Sequence, residues 1–214
     1  MSNSNVVVDV AVVGYKAFNN DMMCRGYQFE IGKTYTIDGN PILCKRGFHF
    51  CTDMQKCFNY YEMDSRICEV VAEDVIEGKD KNVCRTITIV RELSQKEIMD
   101  RITDSKTAYR WGLNIGNHEV MIDRVTNSLW AYWWAIDIGN QQIMVDRVTD
   151  SEYAYFWGLF IGNHELMIDR VIESEYAYRW AKYIGNADVM LVRITNEYQR
   201  KEIEKQIIRE KSRA

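Results

Sequence analysis

The sequence predicts two parts of different fold class: a small α+β domain over residues 1–93 and an α-helical solenoid over residues 94–214, made of four 23-residue repeats and a C-terminal capping helix. The main observation is a repeat: Ile-Gly-Asn begins at Ile115, Ile138, Ile161 and Ile184, each 23 residues after the last. Repetition at a fixed period is typical of solenoids. In contrast, short β-rich runs separated by turn residues occupy the first 93 residues.

The repeat extends over the whole 23-residue frame. The aligned units are residues 100–122, 123–145, 146–168 and 169–191. A half unit at residues 95–101 precedes them, and Ser94 with Glu97 predicts a capping box at its start. The charged segment that follows Arg193 predicts a helix that caps the far end of the array.

Each unit predicts two helices that meet at the Ile-Gly-Asn corner. In the third unit, Thr149 precedes Glu152 by three residues, which predicts a helix start there and a helix that ends near Ile161. Gly162 is expected to end that helix in the left-handed conformation. We expect the Asn163 side chain to cap a second helix over residues 164–171.

Columns that stay constant from unit to unit predict the core of the repeats. They recur at helical spacing on one face of the first helix, and the residue after each Trp is always small. A Met column supplies the buried face of the second helix, and recurring Asp-Arg pairs predict an ion-pair ladder at the surface. The constant columns are Ala108/Ala131/Ala154/Ala177, Trp111/Trp134/Trp157/Trp180, Ile115/Ile138/Ile161/Ile184 and Met121/Met144/Met167/Met190.

Positions that vary from unit to unit predict the binding surface, because the packing of one unit on the next does not determine which residue occupies them. Large aromatic side chains and Arg dominate there, and these residue types are enriched at interface hot spots. Three occupants stay open: a partner protein, a second copy of the chain in a homodimer, or the N-terminal domain. The candidate partner-binding residues are Arg110, Trp130, Trp133, Tyr153, Phe156, Phe160, Tyr176, Arg179 and Tyr183.

The N-terminal part predicts strands in residues 6–13, 33–37, 67–73 and 83–90, and one helix in residues 53–61. All six cysteines lie in this part, without a CxxC pair. A zinc site at Cys44, His49, Cys51 and Cys57 is one interpretation, and buried free thiols are the one we favour, with no metal. These thiols favour a cytoplasmic location.

Charge and hydropathy exclude several classes of function. The net charge of −4 gives no overall attraction to nucleic acid, so we expect no direct nucleic-acid binding. No apolar stretch reaches the roughly 18 residues that a membrane span needs, so we expect no membrane association.

Two family resemblances lie in the N-terminal part. The blocks GYKAFNNDMMCRGYQFEIGKTY (14–35), CKRGFHFCTDMQKCFNYY (44–61) and ITIVREL (87–93) together resemble an uncharacterised domain of bacteriophage and prophage proteins. This resemblance implies a phage or mobile-element origin, and therefore a location in the cytosol of a host cell.

The second resemblance involves RGFHFCTDMQKCFNYY (46–61), which resembles the nicotinamide-binding segment of ADP-ribosyltransferases of the diphtheria-toxin and poly-ADP-ribose-polymerase type. It implies that His49 and Tyr60 sandwich the nicotinamide of NAD. Lys16 occupies the position at which that family has a histidine that binds the ribose. The family's catalytic glutamate corresponds to Glu69, Glu73 or Glu92, and Glu92 is our candidate.

We favour a binding role without a cofactor: a phage-derived interaction or inhibitor protein whose aromatic face engages a host or phage protein, such as a CRISPR–Cas defence complex. The alternative is an NAD-dependent ADP-ribosyltransferase-like enzyme that uses the repeats as its substrate-recognition arm. Lys16 distinguishes the binding protein from the enzyme. A lysine only donates hydrogen bonds, whereas the family's histidine can also accept one.

Overall fold

The computed structural model describes residues 11–212 of the 214-residue chain. Within it the chain forms two compact units, one up to Asn117 and one from His118. A β-rich region is followed by a helical region, and the change from strand to helix falls at residues 92–95. No helix of the described residues has the length and apolarity that crossing a bilayer needs.

The first unit is built on a five-stranded antiparallel sheet. Its strand order is β1-β6-β7-β4, β5 also pairs with β7, and β2 and β3 form a separate two-stranded sheet. The strands are β1 (Val12–Phe18), β2 (Met23–Cys24), β3 (Tyr27–Gln28), β4 (Thr34–Thr36), β5 (Phe48–Phe50), β6 (Arg66–Ile76) and β7 (Asn82–Glu92).

Three of the predicted strands are confirmed as β4, β6 and β7, but the first is misplaced. We predicted it at residues 6–13, of which 6–10 lie outside the described residues, and β1 instead continues to Phe18. The prediction was based on the apolar run at residues 6–13, which lies closer to the start of the chain than β1 does. The inward-facing positions of the strand include Lys16, which a search for hydrophobic alternation passes over.

The sheet is held by a core of aromatic and β-branched side chains. Phe18, Phe29, Ile87 and Ile89 are at most 2% exposed. The rings of Phe18 and Phe29 lie 5.1 Å apart, and Phe29 also meets Phe48 edge-on at 5.8 Å. Packed aromatic rings of this kind remove large apolar areas from water.

β1 and β5 approach closely at one end of the sheet. Tyr15 and Cys51 exchange two backbone hydrogen bonds of 2.7 and 2.8 Å. The contact requires Gly14, because a Cβ there would lie 2.5 Å from the Phe50 ring. The predicted helix at 53–61 is a 3-10 helix, Met54–Asn59, that begins where the Asp53 side chain accepts a hydrogen bond from the Gln55 amide.

Two helices complete the first unit: α1 (Gln95–Arg101) and α2 (Ser105–Asn114). Both bonds of the predicted capping box, between Ser94 and Glu97, are present at α1. The Gln55 side chain accepts a 3.0 Å bond from the Asp104 amide. Both helices therefore belong to the first compact unit.

The second unit is helical throughout its described length. Its α-helices are α3 (His118–Met121), α4 (Ser128–Asp137), α5 (Gln141–Met144), α6 (Ser151–Phe160), α7 (His164–Met167), α8 (Ser174–Tyr183), α9 (Ala187–Leu191) and α10 (Glu197–Lys211). α10 is the helix predicted after Arg193. The predicted second helix at 164–171 was too long, since α7 ends at Met167 and a 3-10 turn, Ile168–Arg170, follows.

The Ile-Gly-Asn corners change direction with two left-handed residues. Gly162 has the predicted positive φ, at 95°, and Asn163 follows at φ 52°. The expectation that Asn163 caps α7 with its side chain is wrong, because no such hydrogen bond forms. A side-chain cap ordinarily needs extended backbone at that residue. Asp150, at φ −94° and ψ 155°, meets this condition and caps α6 in place of Thr149.

The constant columns form the core of the second unit, with one exception. Trp134, Trp157 and Trp180 are 0% exposed, as are the Ala and Met columns between residues 121 and 190. The Ile residues at the corners are only half-buried. No protein acceptor for the four Trp indole N–H groups is found within residues 11–212. The recurrence of Trp at this position is therefore explained by its shape and its apolar contacts.

The Asp-Arg pairs form the predicted ladder of ion pairs between repeats, but their arginines also bond backbone carbonyls, which we did not predict. Arg147 donates to the carbonyl oxygens of Ile122 and Val125, one repeat earlier, while its contact with Asp123 is 3.4 Å. Asp123 is 82% exposed and the Arg147 side chain only 21%. The guanidinium satisfies carbonyls that the end of a short helix leaves free. Arg170 and Arg193 repeat this arrangement.

A serine at the start of each first helix makes a second link between repeats. The Ser151 hydroxyl oxygen accepts hydrogen bonds from the amides of Ile172 and Glu173, at 3.0 and 3.1 Å. Ser128 makes the equivalent bonds to the amides of Thr149 and Asp150. Successive repeats of the second unit are thus joined by polar bonds as well as by buried rings.

Candidate functional sites

Aromatic side chains of three successive first helices, α4, α6 and α8, lie in contact in the second unit. Phe156 stacks on Phe160 at 6.3 Å and lies 6.2 Å from Tyr153. We call Trp133, Tyr153, Phe156, Phe160 and Tyr176 the aromatic surface.

Two tyrosines that we did not predict join these rings. Tyr132 contacts Trp133, Tyr153 and Phe156 at 5.3, 5.9 and 6.1 Å. Tyr155 contacts Phe156 at 5.4 Å and Tyr176 at 6.1 Å. Both belong to the constant Ala-Tyr pair of the repeats. Aligning the repeats reveals this constant Tyr column. It does not reveal that the tyrosines lie beneath the variable residues.

Exposure differs within the aromatic surface. Phe160 is 65% exposed and Trp133 40%, whereas Phe156, Tyr153 and Tyr176 are half-buried. Trp133 and Phe160 also line one shallow groove with Tyr132 and Ile136. These two rings are therefore the parts of the surface most available to another molecule.

The remaining predicted partner-binding residues are placed differently. Arg110 belongs to the first unit, where its guanidinium donates a 2.6 Å bond to the Phe58 carbonyl. Arg179 pairs with Glu175 at 2.8 Å. Tyr183 is 61% exposed at the end of α8, beside Lys182, and Trp130 is half-buried on α4.

The first unit contains a cleft of about 500 Å³ between the β1/β5 end of the sheet and the loops around it. Three residues proposed from the ADP-ribosyltransferase resemblance line it: Lys16, His49 and Tyr60. Lys16 is 5% exposed, and its Nζ donates a 3.0 Å bond to the His49 carbonyl oxygen. Tyr60 is 46% exposed.

His49 is held as a neutral acceptor in this cleft. Its Nε2 accepts a 3.0 Å hydrogen bond from the Cys44 amide. Burial, together with the positive charges of Lys81, Lys16 and Arg25, lowers the pKa of His49 to about 4. The imidazole is therefore uncharged at neutral pH, and the cations around it favour this neutral form.

Thiols in the cleft are bonded within the protein. The Tyr61 hydroxyl lies 3.0 Å from Cys24 Sγ, and burial raises the pKa of Tyr61. The Cys57 thiol donates a 3.6 Å bond to the Tyr15 carbonyl oxygen, and hydrogen bonding between the Cys51 and Cys57 side chains lowers the pKa of Cys51 and raises that of Cys57. Within the described residues, no group of three or more His, Cys, Asp or Glu side chains is arranged to hold a metal ion.

The glutamates proposed for catalysis are not among the residues that line the cleft. Glu92 forms a two-bond pair with Arg66, at 2.6 and 2.9 Å, and this pair lowers the pKa of Glu92. Glu69 pairs with Arg91 at 3.2 Å, and Glu73 is exposed. Glu92 on β7 is separated from Lys16 on β1 by β6, whose Cys68 lies opposite both residues.

Comparison with known proteins finds a family model that is similar to part of the first unit. Residues 12–101 match the model of a family described as a domain of unknown function, DUF7666. The match covers less than half of the chain but includes all seven strands, α1 and the whole lining of the cleft. No curated protein and no solved structure matches the chain.

Proposed function

We propose that this protein is an interaction module whose helical repeats form a solenoid and whose aromatic surface binds a partner protein. The observation that carries the proposal is a continuous series of ring contacts across successive repeats, with an exposed ring at each end, Trp133 on α4 and Phe160 on α6. Soluble proteins rarely expose contiguous apolar patches without a use. Trp and Tyr are also the side chains that most often dominate interface energetics.

The solenoid is supported by the links between repeats of the second unit. Arg147, Arg170 and Arg193 each bond carbonyls of the repeat before, at the same positions in the frame. Contacts that recur at one period and join only neighbours are the defining property of repeat architectures. Each new repeat therefore adds the same interface and leaves its variable column free to differ.

The partner we propose is a host or phage protein in the host cytoplasm, and a host-defence complex such as CRISPR–Cas is one specific candidate. The phage-type blocks of the N-terminal part support such an origin. The net charge of −4 favours a protein surface over nucleic acid. A second copy of the chain is the competing occupant, and sedimentation of the purified protein distinguishes the two.

We do not propose ADP-ribosyl transfer. Lys16, His49 and Tyr60 line one cleft, but none of the described residues that line it is acidic. Glu92, our candidate for the catalytic carboxylate, is held by Arg66 elsewhere on the sheet. The transferase hypothesis predicts that the purified protein cleaves NAD, and our proposal predicts that it does not.

The proposal is tested by capture from a bacterial host lysate with wild-type protein and two double variants. Trp133→Ala with Phe160→Ala removes the two most exposed rings of the aromatic surface. Ile143→Ala with Leu166→Ala is the matched control, because these side chains are 47% and 53% exposed on the second helices. We expect one protein to be recovered by wild type and control but lost with the aromatic variant.

A protein recovered equally by all three baits contradicts the aromatic surface as the binding site. Concentration-dependent sedimentation that the aromatic variant abolishes, with no protein captured, shows instead that the surface joins two copies of this chain. Thermal melting of all three proteins accompanies both assays, so that loss of binding is separated from loss of fold.

A further inference from the structure

Lys16 is a buried cation without a carboxylate partner. Its side chain lies on β1 and is 5% exposed, with its Nζ 3.0 Å from the His49 carbonyl oxygen and 3.6 Å from Cys24 Sγ. The rings of Phe18 and Phe29 lie 5.3 and 5.6 Å from the same Nζ. None of the ion pairs among residues 11–212 includes Lys16. A buried charge without a counter-charge is costly, which points to an anion that the protein itself does not supply.

Four further cations line the same cleft: Arg25, Lys45, Arg46 and Lys81. None of them forms an ion pair within the described part of the chain, and no Asp or Glu is among the described residues of the lining. Burial is the main cause of the lowered pKa of His49, and the positive charges of Lys81, Lys16 and Arg25 lower it in the same direction. A concave site lined by one sign of charge concentrates ligands of the opposite sign.

Aromatic rings stand beside these cations at the rim. Tyr60 is 46% exposed with Lys81 Nζ 4.2 Å from its ring centre, and Tyr27 is 50% exposed. Planar ligands stack on exposed rings of this kind. The cleft volume of about 500 Å³ lies within the range of small-molecule sites.

We infer that this cleft binds a small organic phosphate that carries a planar ring, a nucleoside phosphate by chemical class. The phosphate lies toward Lys16, and the ring lies toward Tyr60 and Tyr27. The site needs no catalytic group to do this. The inference is independent of the aromatic surface, since it rests only on residues of the first unit.

Calorimetric titration of the full chain tests the ligand class. The probes are ADP, GDP, CDP and UDP, with adenosine and inorganic pyrophosphate as the two halves of the ligand. We expect at least one nucleoside diphosphate to bind with a Kd below about 1 mM and adenosine and pyrophosphate to bind roughly tenfold more weakly or worse. No binding by any of the four diphosphates overturns the inference. Pyrophosphate binding as tightly as the best diphosphate also overturns it, because the ring then contributes nothing.

Three variants test the site. Lys16→Met removes the buried charge and keeps most of the stem, and we expect it to weaken binding about tenfold or more. Lys81→Met, at the rim, keeps the test valid if the buried variant fails to fold, and we expect roughly three- to tenfold weakening. Lys33→Met is the control, because Lys33 is paired with Glu30 outside the cleft. Equal weakening by Lys33→Met and Lys81→Met, or unchanged binding by folded Lys16→Met, contradicts the site.

Discussion

The Arg170 guanidinium donates a 2.7 Å hydrogen bond to the carbonyl oxygen of Val148, which lies one repeat earlier in the chain. A second bond joins the same group to the Val145 carbonyl. The Asp146 carboxylate next to it lies 3.5 Å away and is 84% exposed. The arginine of the Asp-Arg pair therefore has a structural role between repeats, while the aspartate remains largely in solvent.

Arg170→Met should accordingly destabilise the protein by about 1–3 kcal/mol, because it leaves two carbonyls without their charged donor. Asp146→Ala should change the free energy of unfolding by roughly 0.5 kcal/mol or less, since an exposed ion pair contributes little. Urea denaturation of the two variants measures both. An aspartate variant as unstable as the arginine variant would show that the ion pair, and not the carbonyl bonds, makes the main contribution.

Gly158→Ala should destabilise the protein by about 1–3 kcal/mol, although alanine ordinarily favours a helix over glycine. A Cβ at this position would lie 2.5 Å from the Trp180 ring, which is 0% exposed and cannot move aside freely. Thermal melting gives the sign of the effect. A variant that melts higher than wild type would show that the rings tolerate a wider spacing between repeats.

Trp157→Ala should cost roughly 3–5 kcal/mol, because it empties a fully buried aromatic site. Trp133→Ala is its matched control: the same substitution on a ring that is 40% exposed. There we expect a loss of about 1 kcal/mol or less. Chemical denaturation of both variants tests whether the constant and variable columns differ in this way, and equal losses would mean that they do not.

The repeat domain was largely predictable because its period is visible in one sequence. The columns of Trp, Ala and Met and the positive φ of Gly162 follow from the 23-residue frame and helical spacing. The partners of Arg147 could not be predicted, because they are backbone carbonyls, which every residue type carries.

The basic cleft could not have been predicted in the same way. Its cations are scattered from Lys16 to Lys81 and become neighbours only through the pairing of β1, β5 and β7. The resemblance to ADP-ribosyltransferases directed attention to Lys16, His49 and Tyr60, and these do line one cleft. It also suggested a glutamate there, whereas Glu92 is paired with Arg66 and lies two strands from Lys16.

His49 should make stability fall as the solution becomes more acidic. Its pKa is about 4 in the folded protein and 6.5 ordinarily, so the unfolded chain binds its proton first. Stability from this residue is therefore full above about pH 6.5 and is lost as the pH falls toward 4. His49→Gln, which keeps an acceptor for the Cys44 amide, should flatten this part of the curve. Unfolding free energies that fall in parallel for both proteins would contradict the lowered pKa.

The affinity of the captured partner for Trp133→Ala protein tests the central claim most directly. If the aromatic surface is the binding site, calorimetry should show at least about tenfold weaker binding than wild type, with Leu166→Ala within roughly twofold. Wild-type binding should also carry a negative heat-capacity change from burial of the rings. An unchanged Kd for Trp133→Ala protein that melts like wild type would contradict the account.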